Sequence, residues 1–429
     1  MIWLFVLSAV AFVDRTNISI AGPSIQNELR LDNIRLGWVF SAFLVGYAAF
    51  QVVGGWLACR FGPRRALAAG VLWWGLFTAL TTIASPRLTH ALLLLILIRF
   101  SLGAGEAAIY PASNQFVARW IPVAERGRAN GWIFAGVGAG AGLSIPVLAW
   151  IIGHYGWRTS FWFCAVLGVF VGLVWYLMSR DTPEEHPHIS ADELKLIQAT
   201  RSIEGNRPSD APLSWRAVLF NRNVAALTLS YFTFGYVAWI FFSWFFIYMA
   251  QARGLNLKSN AFVSMIPFLA MTVCCLSGGF ISDWLSKKLG LRGGRCGIAV
   301  FSFALTAVFL VIGSRVRGPY LASFILAGGA GALYLSQSSF WAVSADISGE
   351  RSGVVSGVMN MGCQIGGAVT ASLTPWIAAR YGWNSAFAVA ATLAAAGGAM
   401  WLFVDPTRLH PAKPLAPASI GIEPEIRIK

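Results

Sequence analysis

The chain has 429 residues, 57% of them hydrophobic and only 12% charged, set out as apolar runs of about 20 residues between short polar breaks. That pattern predicts an all-α membrane protein crossing the bilayer many times and excludes a soluble fold. A formal net charge of +14 would suit a nucleic-acid partner, but the places the charges occupy argue for a different cause.

Twelve candidate spans follow in order, at 1–22, 36–58, 67–84, 90–118, 127–152, 158–179, 222–250, 259–285, 296–313, 319–343, 352–378 and 383–404. The first carries Asp14 and Arg15. It has no basic region ahead of its apolar run and no small-residue cleavage pattern behind it, so it reads as a retained helix and not a signal peptide. The second carries Tyr47 and Gln51, one turn apart, and the fourth carries Arg99 and Glu106. Gly136, Gly138, Gly140 and Gly142 in the fifth span, and Gly353, Gly357, Gly362 and Gly366 in the eleventh, predict close approach of helices in a rocking interface. With no strand before them they are not a nucleotide loop. Residues 180–221, rich in Pro, Glu, Asp and Arg, read as a linker with a short surface helix near Asp192 to Thr200. The aromatic run Trp239, Phe241, Phe242, Trp244, Phe245 and Phe246 goes around the seventh helix, so most of it packs or meets lipid, with Trp239 or Trp244 as a cavity wall. Gln337 and Ser338 in the tenth span, and Asn360 and Gln364 in the eleventh, can bond a substrate or a neighbouring helix. The proline-rich end is expected to be disordered. The expected division is a six-helix bundle at 1–179, a cytoplasmic linker at 180–221, a second six-helix bundle at 222–404 and a cytoplasmic tail at 405–429.

If the N-terminus is cytoplasmic, the inner loops and tail hold 21 Lys or Arg and the outer loops nine, which with Arg15 and Arg99 make up the total of 32. Basic residues concentrate on the cytoplasmic side of membrane proteins, so both termini are placed there and no nucleic acid is needed to explain the charge. The six cysteines lack zinc or disulfide spacing and the five histidines lie in or near loops, so no metal site and no histidine proton relay is expected.

Of fifty Lys, Arg, Asp and Glu side chains, only Asp14, Arg15, Arg99 and Glu106 fall in the middle of long apolar segments. A charge at bilayer depth costs at least ~2.5–3.5 kcal/mol, so such residues face a cavity, pair with one another and serve a function. The chain is also internally duplicated. Glu125-Arg126-Gly127 and Tyr155-Gly156-Trp157 return as Glu350-Arg351-Ser352 and Tyr381-Gly382-Trp383, offsets of 225 and 226, and Gly54-Gly55-Trp56 matches Gly278-Gly279-Phe280 at 224. Two six-helix halves in the same orientation form the parallel repeat of the major facilitator architecture. Adding 225 to Asp14, Arg99 and Glu106 lands near Trp239, Phe324 and Gly331, where no charge occurs. A need of the fold would be met twice, so the quartet points to function in the first half. Arg99 and Glu106 lie two turns apart, ~10.5 Å along nearly one helix face, while Asp14 and Arg15 point about 100° apart. One of the latter pair can face helix 4 and the other the cavity between the halves. Ion bridges that only staple helices 1 and 4 are the structural alternative.

The stretch Phe12-Val13-Asp14-Arg15-Thr16-Asn17-Ile18-Ser19-Ile20-Ala21, with Arg99-Phe100-Ser101-Leu102-Gly103-Ala104-Gly105-Glu106 and Tyr110-Pro111-Ala112-Ser113-Asn114, closely resembles the anion:cation symporter family of the major facilitator superfamily. The likeness runs through nearly all twelve helices, including Trp239 to Tyr248 and Gly357-Val358-Met359-Asn360. It is greatest to bacterial carriers of sugar acids of the glucarate, galactonate and hexuronate type. The resemblance implies a proton-coupled symporter of the bacterial inner membrane, a monomer with no cofactor beyond the co-transported proton, importing an organic anion by alternating access. It makes Asp14 and Glu106 the proton carriers. It gives Arg15 the substrate carboxylate, which a planar guanidinium can hold in a fork, and sets Arg99 to tune Glu106 or meet the anion. Tyr47 and Asn360 match family positions near the substrate, with Gln51, Trp239, Gln337, Ser338 and Gln364 as further candidates.

Two departures stand out. The gating motif Gly-x-Leu-Ala-Asp-Arg-x-Gly reads Gly55-Trp56-Leu57-Ala58-Cys59-Arg60-Phe61-Gly62, keeping Arg60 and Gly62 but replacing the Asp with Cys59, while the second copy keeps Asp283. Sugar-acid carriers of the family can place amides on helices 5 and 7 where Val137 and Tyr231 stand, which suggests fewer hydroxyls on the substrate than an aldarate has. Among alternatives, a drug or organic-anion:proton antiporter lacks its Gly-Pro motif on helix 5, and an organophosphate exchanger lacks an arginine on helix 7. A non-transporting receptor is the remaining one. An enzyme would need a metal cluster or a nucleophile and base, and neither pattern occurs.

Overall fold

Apolar runs in a bilayer must satisfy their backbone hydrogen bonds internally, and these runs do so as helices. The computed structural model describes residues 2–121, 126–187, 189–192, 194, 195, 197, 221–348 and 352–406. Its helices are α1 (Ile2–Leu29), α2 (Asn33–Phe61), α3 (Pro63–Leu80), α4 (Ala91–Glu106), α5 (Ile109–Trp120), α6 (Arg126–Tyr155) and α7 (Trp157–Met178). After the linker come α8 (Arg222–Ser243), α9 (Phe245–Gln251), α10 (Leu257–Leu291), α11 (Gly297–Arg315), α12 (Pro319–Leu335), α13 (Gln337–Ser348), α14 (Ser352–Tyr381) and α15 (Trp383–Met400). Three expected spans are broken helices: α4 with α5 at Ala107–Ala108, α8 with α9 at Trp244, and α12 with α13 at Ser336. With each broken pair counted once, twelve long helices are present among the described residues. By length and composition ten stretches could cross a membrane, and one of them, Leu257–Arg315, takes in both α10 and α11, which part at Gly290. The Glu125 and Glu350-Arg351 members of the repeated motif, most of the linker beyond 197 and the tail beyond 406 lie outside the described residues.

The two halves repeat each other in contact as well as in sequence. In the first, α1 packs on α6, α2 on α4 and α3 on α7; in the second, α8 packs on α14, α10 on α12 and α11 on α15. Between halves, α6 meets α10 and α2 meets α14. Helix association in lipid depends on close packing, which glycine permits. A side chain at Gly136 or Gly140 would meet the Phe5 or Ala9 carbonyl of α1, and one at Gly362 or Gly366 would meet the Thr228 or Phe232 carbonyl of α8. The other two of the Gly136–Gly142 set, Gly138 against Thr272 and Phe268 and Gly142 against Phe268, act across the halves. Only part of the glycine set therefore lies in the interface between halves. Gly54 and Gly278, paired by the repeat, seat against the helix breaks at Ala108 and Leu335.

The halves are joined firmly at the end of the bundle away from the linker. There Gln26 Nε2 donates to Asn33 Oδ1 at 2.6 Å, Asn33 Nδ2 to Gln251 Oε1 at 2.9 Å and Gln251 Nε2 back to Gln26 Oε1 at 3.3 Å, a closed ring of three amides across α1, α2 and α9. Ser19 Oγ donates to the Ser243 carbonyl at 2.8 Å, and Ser41 Oγ to that of Ala368 at 2.6 Å.

Candidate functional site

All four intramembrane charges are buried, with Asp14, Arg15, Arg99 and Glu106 no more than 4% exposed. They gather where α1 crosses α2 and α4. Gly46 and Gly103 bring those two helices into backbone contact, a side chain at Gly103 colliding with the Phe43 carbonyl and one at Gly46 with that of Phe100. The crossing fixes Phe43 between the two arginines. Its ring centroid lies 4.9 Å from the Arg99 guanidinium and 5.4 Å from that of Arg15, within cation–π range of both.

Arg15 Nε donates to Glu106 Oε2 at 2.6 Å. The same guanidinium packs 4.5 Å from the Phe12 ring and 4.9 Å from the Tyr47 ring, and its Nη2 has no hydrogen-bond partner. Asp14 turns the other way, its Oδ1 accepting from Thr78 Oγ1 of α3 at 3.0 Å. Asp14 Oδ2 and Arg99 Nε and Nη1 are buried without hydrogen-bond partners. The quartet thus holds one direct ion pair, Arg15 with Glu106, while Asp14 and Arg99 are buried with no direct ion pair between them. Glu106 is the last residue of α4, so its carboxylate stands at the helix break.

A cavity lies between the halves, and Arg15 is the charged residue on its wall. Of the sequence candidates, Trp239, Gln337, Asn360 and Gln364 line it with Arg15. Asp14, Glu106 and Arg99 sit behind that wall, as do Tyr47, which backs Arg15, and the buried Gln51. Ser338 is half-buried and faces α10 near Gly279, away from the cavity. Val137 and Tyr231, the two departures from the sugar-acid pattern, are both on the wall. Tyr231 and Gln337 are bonded to each other, with Nε2 3.0 Å from the tyrosine hydroxyl.

Sequence reasoning missed most of the wall: Phe12, Tyr110, Phe134, Phe234, Phe242, Tyr334 and Trp341 also line it. Helical spacing carries a signal for two of them, since Tyr110 lies one turn beyond Glu106 and Trp341 one turn beyond Gln337. At the gating motif, Arg60 is exposed beside the Trp56 and Phe61 rings, and Gly62, at φ 87°, takes the turn between α2 and α3. The Cys59 side chain lies outside the described set, and Asp283 is exposed on α10. A carboxylate still reaches the turn, because Asp181 Oδ1 accepts the Arg64 backbone N–H at 2.9 Å and abuts Gly62.

The family model for the Major Facilitator Superfamily matches residues 4–371 and 294–427. The chain belongs to the Major Facilitator Superfamily. Members are membrane transporters and not enzymes. The chain is 32% identical over 403 residues to the probable sulfoacetate transporter SauU of Cupriavidus necator, covering 92% of this chain and 91% of that protein. It is 28% identical over 418 residues to the hexuronate transporter of Bacillus subtilis, covering 96% of each. A solved bacterial homolog of the human lysosomal transporter Spinster, inward-facing and occupied, superposes with a TM-score of 0.73 at 16% identity over 96% of this chain and 98% of that one. The last likeness concerns the fold alone.

Proposed function

We propose that this superfamily member is a proton-coupled symporter of the bacterial inner membrane that imports a small organic anion bearing a carboxylate. The observation that carries the proposal is the buried Arg15–Glu106 pair, one face of which opens on the cavity between the halves. A guanidinium with one N–H bonded to Glu106 and Nη2 free can take an anion from the cavity side. An ion pair so placed couples two ligands. Protonation of Glu106 releases Arg15 to the anion, and departure of the anion returns Arg15 to the carboxylate, which sheds its proton. Asp14, beside Arg99, is the second proton carrier. With the termini and linker cytoplasmic, the sealed end of the bundle faces outward, and rocking of one half on the other exchanges the sealed end.

Glu106→Gln tests the coupling directly. The variant should lose proton-driven accumulation of anion in liposomes while keeping counterflow exchange; accumulation at the parental level would remove Glu106 from the mechanism. An anion carried out as protons enter would instead support an exporter.

A further inference from the structure

On the reading above, in which the central cavity takes an organic anion, we propose that the preferred substrate is a monocarboxylate with a flat apolar or aromatic body, an arenecarboxylate, over a polyhydroxylated or doubly charged acid. The wall offers one cation and many rings. Arg15 stands on one side, and the facing surface from α8, α12, α13 and α14 brings no charge to the cavity. An acid with a second ionised group would hold it against neutral side chains in a confined space, where an unpaired charge is costly.

Aromatic walls alone do not decide between an arene and a sugar ring, because the apolar face of a sugar also stacks on them. The decision lies with the hydrogen-bonding groups left over. Tyr231 and Gln337 are bonded to each other, with one N–H of Gln337 left over, and Tyr110 shares its hydroxyl with Ser8 Oγ at 3.2 Å. Val137 has nothing to offer. Arg15 Nη2, Trp341 Nε1 and Gln364 Oε1, each buried without a partner, remain with Asn360 and the Tyr334 hydroxyl. That set suits one carboxylate and one or two polar substituents. A hexuronate brings a hydroxyl on nearly every ring carbon, and each one left unbonded in the cavity loses its water without replacement. Phe12, Phe242 and Trp239 meanwhile present ring faces and edges beside Arg15, with ring centroids of Phe12 and Phe242 5.2 Å apart and those of Trp239 and Phe242 5.4 Å apart, an arrangement fitted to a planar body held next to its carboxylate.

The test separates binding from transport. Isothermal titration of the purified full-length protein with benzoate, phenylacetate, glucuronate and glucarate should rank an arenecarboxylate at least tenfold tighter than glucuronate, with glucarate weakest. Tighter binding of glucuronate or glucarate, or no binding of either arenecarboxylate, overturns the proposal. Tyr231→Asn, which frees Gln337 and adds an amide, should narrow the ratio at least tenfold, and the parental ranking decides the matter if that variant does not fold. Uptake of the same four acids under an inward proton gradient then reports on symport itself. Arenecarboxylate binding without gradient-driven accumulation would keep the substrate class and remove the symport reading, whereas accumulation of glucuronate alone would do the reverse.

Discussion

Arg15 has demands on it that a point charge cannot meet. One N–H is committed to Glu106, the guanidinium packs on the Phe12 and Tyr47 rings, Nη2 is buried without a partner, and the residue lines the cavity. Lysine would keep the charge but lose the flat stacking surface and the second donor of the fork. Charge-assisted hydrogen bonds contribute about 1.5–3 kcal/mol, so Arg15→Lys should weaken apparent anion affinity by about 10–100-fold, read from the concentration dependence of counterflow. Parental affinity in that variant would mean the anion does not touch Arg15. The sequence makes the quartet visible because bilayer depth filters out charges that have no role. It leaves the pairing open, since periodicity allows either Asp14 or Arg15 to face helix 4. The pairing follows from the rotation of α1, set by Gly136 and Gly140 on α6, and from Thr78, which takes one Asp14 oxygen. The aromatic wall was harder to read. Phe, Tyr and Trp occur all round these helices, and in lipid an outward ring and a cavity ring have the same polarity.

At the scale of the helix, the α12–α13 break has neither glycine nor proline within a turn of it, whereas the α4–α5 break falls four residues before Pro111, which has no N–H to give the Ala107 carbonyl. They fall at Ala107–Ala108 and at Ser336, while Pro23, Pro146, Pro267 and Pro375 remain inside continuous helices. A signal common to both breaks lies on the neighbouring helix, in Gly54 and Gly278, which the repeat pairs and which let a backbone lie directly on each break. A Cβ at Gly54 would stand 2.6 Å from Ala108 Cα, a contact that only backbone movement relieves. Overpacking of this kind costs about 1–3 kcal/mol, so Gly54→Ala should lower the melting temperature of the purified protein. Gly357→Ala is the control, since nothing lies within 4 Å of a Cβ there and an alanine favours the helix. Equal melting temperatures for the two variants would show that the break does not depend on Gly54.

At the scale of the whole molecule, the duplication gives two matching bundles, and function is divided unequally between them: the first half holds the charge and the second most of the neutral wall. The twelve-helix plan and the repeat were legible because apolar run length and a near-constant offset survive in sequence. The manner of closure was not, because the contacts that seal the far end are made by Ser, Asn and Gln, which are common on helix ends for many reasons. The amide ring of Gln26, Asn33 and Gln251 is the part of that seal most open to test. Gln251→Leu removes two of its three hydrogen bonds, both on the inter-half side. Each contributes about 0.5–1.5 kcal/mol when buried and less in contact with water, so the seal should weaken by about 1 kcal/mol and the open population should rise about fivefold. Leu36, fully buried behind the ring and close to Gly22, reports the change when replaced by cysteine in a background without other cysteines. Its labelling by a membrane-impermeant maleimide from the sealed side should speed up by that factor in the Gln251→Leu protein. An unchanged rate would assign the seal to the α6–α10 and α2–α14 contacts, where Gly138 and the Ser41 hydroxyl hold the halves together without the ring.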